Sequence, residues 1–252
     1  MQPMARLAAR HNVGDPSEPE LATAHARRHR RAWAFELAVA LLTLAAGGLT
    51  LLAVLVPYFA VDLTVERAIQ APRAPWLDTL ATAVSWLGFP PQSDVVFGAI
   101  ILALFLSGRR WQAAGALFAA AGSAGLWFLV APLVHRARPD PELVRVAMRI
   151  PYGSFPSGHV LNFTATFGFL AFLAWHARRP AVSVLCLLPP LAIALSRLYL
   201  GEHWPSDVLG GFLFGGLWLA LTIRVYRWVG HRRQVHGSPV TSVRADVAAH
   251  DS

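Results

Sequence analysis

Long apolar runs are the feature that most constrains the fold of this chain. A helix needs about 20 mostly apolar residues to cross the roughly 30 Å hydrocarbon core of a bilayer. Five runs approach or exceed that length, and one shorter run lies after the first. They cover residues 33–57, 91–108, 112–134, 157–177, 180–198 and 205–229. Because lipid offers the backbone no hydrogen-bond partners, such spans must be helical. The sequence therefore predicts an all-α integral membrane bundle of six transmembrane helices.

The composition agrees with a membrane protein. Of the 252 residues, 55% are hydrophobic and 14% are charged, whereas a soluble domain averages about 25% charged residues. This argues against a water-soluble enzyme. All 22 basic residues are arginine, and the formal net charge is +8. In so apolar a chain this excess favours anionic lipid over nucleic acid as the partner.

The distribution of arginine predicts the orientation of the bundle. If the N-terminus is cytoplasmic, 15 of the 22 arginines lie on the cytoplasmic side. This asymmetry follows the positive-inside rule and places both termini in the cytoplasm, with the protein in the plasma (inner) membrane. We predict an arginine-rich cytoplasmic tail over residues 1–32, a membrane domain over 33–229 and a disordered cytoplasmic tail over 230–252.

A short amphipathic segment lies between the first two predicted spans. From Trp76 to Leu87, apolar residues recur at helical spacing with polar residues between them. The segment is too short to span a bilayer, so an additional interfacial helix is predicted. A loop helix packed on the bundle is an equally good interpretation, because so short a stretch gives a weak amphipathic signal.

Three polar clusters interrupt the apolar pattern at the predicted outer ends of the helices. The first follows the third helix, the second begins the fourth, and the third joins the fifth helix to the sixth. They read His135-Arg136-Ala137-Arg138-Pro139, Pro156-Ser157-Gly158-His159, and Ser196-Arg197 through His203 to Asp207. The predicted topology brings all three clusters to one membrane face, where they can form a single site.

The beginning of the fourth helix predicts an anion site. The backbone N–H groups of Ser157 and Gly158 have no intrahelical acceptor and lie at the positive end of the helix dipole. Arg138 and Arg197 add guanidinium groups whose geometry matches phosphate oxygens. Alternatively, these arginines bind lipid head groups at the interface.

The third cluster predicts a nucleophile. His203 and Asp207 stand four residues apart, the spacing at which helical side chains meet. The carboxylate can hold one ring nitrogen, so that the other attacks an electrophile. His159 is then the acid that protonates the leaving alkoxide.

Because one histidine must be neutral and the other charged, the rate should rise and then fall with pH. Arginines and amides neutralise the phosphoryl oxygens, so we expect neither a metal nor a cofactor.

This arrangement resembles the three-part signature of the type 2 phosphatidic acid phosphatase family, which shares its core with vanadium-dependent haloperoxidases. The parts are Arg-Pro, Pro-Ser-Gly-His and Ser-Arg-x5-His-x3-Asp, and the resemblance covers roughly residues 90–230. It implies that His203 becomes phosphorylated, that Asp207 orients it and that His159 is the acid. The residues that it implies hold phosphate are Arg138, Arg197, Ser157 and Gly158 through its amide.

One position departs from the family pattern. The first part normally begins with a lysine seven residues before its arginine, and here Ala131 stands at that place. Loss of one charge-stabilising donor typically lowers the rate by about 10²- to 10³-fold. Arg136 is close enough in sequence to substitute, so it is predicted as a further phosphate ligand. Binding of a lipid head group is an equally good interpretation of Arg136.

These inferences predict a membrane enzyme that hydrolyses the head group of a lipid at the extracytoplasmic face. The substrate classes implied by the resemblance are phosphatidic acid, phosphatidylglycerol phosphate and polyprenyl pyrophosphates. No nucleic acid and no obligate protein partner is expected. Two alternatives stay open: a phosphotransferase that passes the phosphoryl group to a lipid acceptor, and a non-catalytic lipid-binding protein on the same scaffold.

Overall fold

The computed structural model describes residues 18–236 and is all-helical, with no strand in that range. The helices connect through short turns, apart from a longer loop between α5 and α6. Their bounds are α1 Glu18–Leu55, α2 Ala60–Gln70, α3 Pro75–Trp86, α4 Gln92–Leu106, α5 Arg110–Val134, α6 Gly158–His176, α7 Pro180–Leu185, α8 Leu188–Tyr199 and α9 Pro205–His236. One compact unit ends at Leu41 and another begins at Leu42; the helix packing and the candidate site described below belong to the second.

Five segments in the described part of the chain are long and apolar enough to cross a membrane. They are Ala32–Leu55, Arg110–Val134, Gly158–His176, Pro180–Tyr199 and Pro205–Arg232. Helix α4 is also apolar but has 15 residues. Each predicted apolar run therefore forms a helical segment, which confirms the prediction of an all-α membrane bundle.

The outer surface of the bundle is apolar, as lipid requires. Leu44, Leu106 and Leu133 are each more than 70% exposed. In water, large contiguous apolar surfaces of this kind cause aggregation or mark an interaction site. The exposed leucines instead supply the contact with hydrocarbon chains that the length of the spans predicts.

The close approach of α6 and α9 positions the site. Gly211 and Gly215 lie on the face of α9 that meets α6, and a Cβ atom at either position would lie 2.8 Å from a backbone oxygen of the other segment, at Ser157 or Leu161. Such small residues let helix backbones approach closely. The start of α6 is thereby held against the start of α9, which brings the second and third polar clusters together.

Two short helices lie between the first span and α4. The predicted interfacial segment is helix α3, which packs on α8 through Ala81 while Trp76 and Trp86 stay exposed. The packing on the bundle, one of the two interpretations of this segment, is therefore observed. Helix α2 was not anticipated from the sequence, and it buries a stripe of polar side chains.

The bounds of three helical segments differ from those predicted from the sequence. The fifth predicted span is interrupted at residues 186–187, between α7 and α8. Pro189 and Pro190, which cannot donate backbone hydrogen bonds, lie in the first turn of α8. Helix α9 continues to His236, so the predicted tail at 230–252 begins as helix. Helix α1 likewise begins inside the predicted tail at 1–32. Residues 1–17 and 237–252 lie outside the described part of the chain.

Candidate active site

The three polar clusters meet at the ends of α5, α6, α8 and α9. Arg138 of the first cluster places Nη1 at 3.3 Å from Nε2 of His203 in the third. Ser157 of the second cluster donates its backbone N–H to the carbonyl oxygen of Asp207 at 3.0 Å. His159 and Arg197 both contact Phe89: the His159 ring centroid lies 4.5 Å and the Arg197 guanidinium 4.8 Å from the centroid of its ring. The structure thus brings together the residues that the sequence predicted as one site.

Buried polar atoms without partners concentrate at this meeting point. Ser157 Oγ, His159 Nε2, Arg197 Nε and Nη2, and His203 Nδ1 are all buried and make no hydrogen bond within the described chain. Leaving a buried polar group unpaired costs about 1–3 kcal/mol, so such groups are rare and call for a ligand. A set made mainly of donors, two of them on a guanidinium, suits an anion with several oxygens.

His203 has the environment of a neutral nucleophile. Its side chain is buried, and burial together with the charges of Arg138 and Arg197 holds its pKa well below the ordinary value. The ring is therefore neutral at physiological pH, which is the nucleophilic form. Nδ1 lies 3.7 Å from Oδ2 of Asp207. This is longer than a hydrogen bond, so the carboxylate faces the ring without yet bonding it.

Arg138 is held rigidly beside His203. Its Nε donates to the carbonyl oxygen of Tyr152 at 2.8 Å, its Nη2 to that of Gly153 at 3.2 Å, and its Nη1 to that of Glu202. These three acceptors carry no formal charge, so the positive charge of Arg138 is not cancelled by them. An arginine placed in this way adds to the phosphate-binding potential of the pocket.

Arg197 is anchored on one side and unpartnered on the other. Its Nη1 donates to Ser85 Oγ at 2.6 Å and forms an ion pair with Glu202, and the guanidinium lies 4.8 Å from the ring centroid of Phe89. Nε and Nη2 are the two atoms without an acceptor. Because these two donors lie on the same edge of the guanidinium, they match two phosphate oxygens.

Arg136, which is predicted to substitute for the missing lysine, contacts two carboxylates in the structure. Its Nη1 donates to Asp207 Oδ1 at 2.6 Å, its Nη2 to Asp62 Oδ2 at 3.1 Å and its Nε to the carbonyl oxygen of Pro57 at 3.0 Å. Its side chain is fully buried. The two Nη groups of Arg136 pair with carboxylates, whereas those of Arg138 bond neutral backbone carbonyls. That Arg136 binds phosphate stays a prediction.

The start of α6 differs in one detail from the expected anion site. The backbone N–H of Ser157 is used by the carbonyl oxygen of Asp207, so the hydroxyl is the group that Ser157 can offer. Gly158 is the first residue of α6, and its N–H has no intrahelical acceptor by position. A Cβ atom there would lie 2.8 Å from Nε1 of Trp127, which favours glycine at this position.

Several acidic and hydroxyl side chains of the site were missed by sequence reasoning. Asp62 and Glu66 come from α2, and Glu202 and Ser206 directly precede His203 and Asp207 in the third cluster. A usable signal was present, since Asp62, Glu66 and Gln70 recur every four residues and so share one helical face. A polar helical face is usually exposed to water, so this repeat alone does not indicate a buried cluster.

A cavity of about 260 Å³ adjoins the site on the side of the α5–α6 loop. Arg138 and Glu202 line it together with Arg149 and the apolar side chains of Val146, Met148 and Ile150. The cavity shares Arg138 with the candidate site. The α5–α6 loop therefore forms one wall beside that site.

Comparison with known proteins places the site in a family context. Residues 112–231 match the PAP2 superfamily. Phosphatidylglycerophosphatase B of Bacillus subtilis is 29% identical over 164 residues, which cover 61% of this chain and 77% of the relative. Decaprenylphosphoryl-5-phosphoribose phosphatase of Mycolicibacterium smegmatis is 36% identical over 148 residues, with 57% and 77% covered. A putative undecaprenyl-diphosphatase of Escherichia coli is 45% identical over 80 residues, with 31% and 38% covered.

Two solved structures share the architecture. A transmembrane PAP2-type phosphatidylglycerolphosphate phosphatase from Bacillus subtilis superposes with a TM-score of 0.64 at 22% identity, covering 74% of this chain and 96% of the other. LpxE from Aquifex aeolicus gives a TM-score of 0.57 at 25% identity, covering 66% and 96%. The membrane bundle described above is therefore a known fold.

Proposed function

Because this chain belongs to the PAP2 superfamily and is a membrane phosphoric ester hydrolase, we propose that it hydrolyses a lipid phosphate or pyrophosphate head group through a phosphohistidine. The observation that carries this proposal is the cluster of unpartnered buried polar atoms around His203. The printed names of its relatives include phosphatases of phosphatidylglycerol phosphate, polyprenyl diphosphate and lipid A. We propose a lipid substrate within this range.

In the proposed first step, His203 attacks phosphorus through Nε2. The P–O bond to the lipid breaks as the N–P bond forms, and His159 gives its proton to the leaving oxygen. Asp207 accepts the hydrogen bond of Nδ1–H once the 3.7 Å separation shortens. In the second step, water gives a proton to His159 and attacks the phosphohistidine, which releases inorganic phosphate and restores the neutral ring.

The charge that develops on the phosphoryl oxygens is stabilised by fixed donors. We assign this role to Arg138, Arg197, the Ser157 hydroxyl and the Gly158 amide. Donors that are already oriented towards the transferring group act without the cost of reorganisation. Because they supply the positive charge, the proposed reaction needs no divalent metal.

The proposed site lies at the extracytoplasmic face with both termini in the cytoplasm. The arginine distribution supports this orientation. The site residues lie at the end of α5, the start of α6, the end of α8 and the start of α9. At that depth a lipid substrate can place its head group in the pocket and leave its chains in the bilayer.

The proposal is tested by phosphate release from a panel of lipid phosphates and pyrophosphates. The purified protein in lipid vesicles should release inorganic phosphate from at least one of them, vanadate should inhibit competitively, and chelators should have no effect. His203→Ala should reduce turnover by at least about 10³-fold. His176→Ala changes an exposed histidine at the far end of α6 and should retain normal turnover.

Three results would contradict the proposal. Retained turnover in His203→Ala would exclude the phosphohistidine route. Transfer of phosphate to an added lipid alcohol without release of inorganic phosphate would identify a phosphotransferase. Absence of any turnover with the whole panel, in protein that is folded, would favour a lipid-binding role.

A further inference from the structure

We infer that Asp62 on α2 is a positioning residue for the catalytic carboxylate of Asp207, and that it acts through Arg136 and Ser206. The inference rests on the proposed function, because it assigns a role in the same reaction. Asp62 lies more than 140 residues from Asp207 in sequence, outside the three polar clusters. It is 1% exposed, and its carboxylate meets the start of α9 inside the protein.

The contacts of Asp62 are those of a residue that fixes the start of α9. Its Oδ1 accepts the backbone N–H of Ser206 at 2.8 Å, and its Oδ2 accepts the Ser206 hydroxyl at 2.7 Å. Oδ2 also accepts Nη2 of Arg136 at 3.1 Å. Ser206 directly precedes Asp207, so α2 holds the backbone from which the catalytic carboxylate projects.

Arg136 carries the link from Asp62 to Asp207. The guanidinium bonds one carboxylate on each side, with Nη1 at 2.6 Å from Oδ1 of Asp207. The other oxygen of Asp207 accepts the backbone N–H of Trp204 at 2.8 Å. Arg136 and the Trp204 backbone therefore both hold the carboxylate of Asp207, and the Ser154 side chain contacts it as well. The distance of Asp207 from the ring of His203 is set by this group of contacts.

The charges of the cluster explain why a second carboxylate is needed. Arg136 and Asp207 alone would form a neutral buried pair, and Asp207 would stabilise a positively charged or phosphorylated imidazole poorly. Asp62 balances Arg136, so the three groups together retain one negative charge beside His203. A nearby negative charge favours the protonated form of a histidine.

Other charged groups also surround His203, and the test must take them into account. Arg138 and Arg197 lower its pKa, and the neighbouring helices add further titratable groups. The groups that face this region are His159 on α6, Asp207 on α9, Glu66 and Asp62 on α2, Arg197 on α8, and Arg136, Arg138 and Glu202 in the loops. A single substitution changes one of these charges and leaves the others.

The closing experiment compares Asp62→Asn with Asp94→Asn. Asp94 is exposed in the first turn of α4, so it provides the same chemical change away from the site. Asp62 also accepts the N–H of Phe59 at the start of α2, a role for which an amide oxygen suffices. We expect Asp62→Asn to lower kcat by about 10- to 100-fold, as for outer-shell partners of metal sites. KM should change less than about threefold, because Asp62 does not touch substrate.

The pH dependence separates positioning from a purely structural role. Removing the negative charge of Asp62 disfavours the imidazolium, so the acidic limb of the kcat profile should move to lower pH by about half a unit or more. Asp94→Asn should leave kcat, KM and the profile unchanged. A wild-type kcat and profile for Asp62→Asn would overturn the inference.

A second variant keeps the inference testable if Asp62→Asn does not fold. Ser206→Ala removes a hydroxyl that bonds both Asp62 and Arg136 but leaves both charges. It should lower kcat by about 3- to 10-fold with little change in KM, and unchanged kcat would overturn the inference.

Where both variants fold, their effects on kcat should be less than additive in the double variant, and full additivity would contradict a shared route. If His203→Ala stays active the proposed function fails; if only Asp62→Asn matches wild type, this inference alone fails.

Discussion

At the scale of single residues, two arginines that stand two positions apart have opposite surroundings. Arg138 bonds neutral backbone carbonyls and directs its charge towards His203. Arg136 bonds the carboxylates of Asp62 and Asp207 and is neutralised by them. The acceptors around a guanidinium, rather than its place in a motif, therefore decide whether it can serve a phosphate.

This contrast predicts different effects of the same substitution at the two positions. Arg136→Gln leaves two buried carboxylates unpaired, so the free energy of unfolding should fall by about 3–5 kcal/mol. Arg138→Gln should lower kcat by about 10²- to 10³-fold with a much smaller fall in melting temperature. Thermal unfolding and phosphate release measured on both variants test this. Equal losses of melting temperature would contradict it.

Glu66 predicts a pH dependence of stability. Burial, with Asp207 and Asp62 nearby, raises the pKa of Glu66 from an ordinary value of 4.5 to about 9. Between these two values the folded chain holds a proton that the unfolded chain has lost, so stability falls as pH rises through that window. Glu66→Gln removes the titrating proton and should flatten this fall. Its melting temperature should exceed that of wild type more at pH 8 than at pH 5.

The comparison is made by thermal unfolding of the two purified proteins across that pH range in the same detergent. The other titratable groups are common to both, so the difference between the two curves isolates Glu66. A difference in melting temperature that stays constant with pH would contradict the raised pKa.

At the scale of elements, α2 and α3 fasten the loop and helix ends that carry the site. The amide nitrogen of Gln70 on α2 donates to the carbonyl oxygen of Arg145 at 2.9 Å, and its oxygen accepts the N–H of Arg145 at 3.0 Å. Asp78 on α3 accepts Nη1 of Arg145 at 2.9 Å and the hydroxyl of Tyr199 at 2.8 Å. These bonds tie the α5–α6 loop to the end of α8.

The α6–α9 contact gives a prediction with a matched control. In Gly215→Ala the new Cβ would lie 2.7 Å from Cβ of Thr164, so the helices must separate and stability should fall by about 1–3 kcal/mol. At Gly216 a new Cβ would meet a single atom within 4 Å, Cδ1 of Leu42 at 3.9 Å, which is ordinary van der Waals contact. Gly216→Ala should be neutral or slightly stabilising, because alanine favours helix. Thermal unfolding distinguishes them, and equal effects would contradict the packing described here.

Sequence reasoning succeeded where a pattern has one physical cause. The apolar runs had to become spans, and the motif spacing placed Arg138, His159 and His203 correctly together. Sequence reasoning missed α2 because the usual polarity of a helix is reversed there, with polar side chains inside and apolar side chains outside. Asp62 and Glu66 are buried, whereas Val61 is 62% exposed. The spacing of polar residues shows that they share one face of a helix. It does not show whether that face is buried in protein, exposed to water or exposed to lipid. The role of Arg136 was equally hidden, because it depends on that unrecognised helix.

At the scale of the whole molecule, the site lies at one end of the membrane-spanning helices. The loops after α4 and α5 are separated by the span Arg110–Val134, so they emerge on opposite sides of the membrane. The proposed orientation, which follows the positive-inside rule, puts the loop after α4 in the cytoplasm and the loop after α5, next to the site, outside.

Thiol labelling tests this orientation. Cys186 is the single cysteine of the chain, and Cys186→Ser gives a background without thiols. In that background, Met148→Cys in the exposed α5–α6 loop should react with a membrane-impermeant maleimide in intact cells. Ser107→Cys, which is also exposed, should react only after permeabilisation. The reverse pattern would place the site on the cytoplasmic side.

The inverted polarity of α2 has a consequence for how the enzyme works in its natural setting. The helix that holds the start of α9 exposes Val61 and Val65, and exposed apolar side chains are more favourable next to acyl chains than in water. We therefore expect the proposed alignment of Asp207 to depend on the lipid around α2. Removing bound lipid from the purified protein should lower its turnover before the helices unfold. Adding lipid back should restore the turnover.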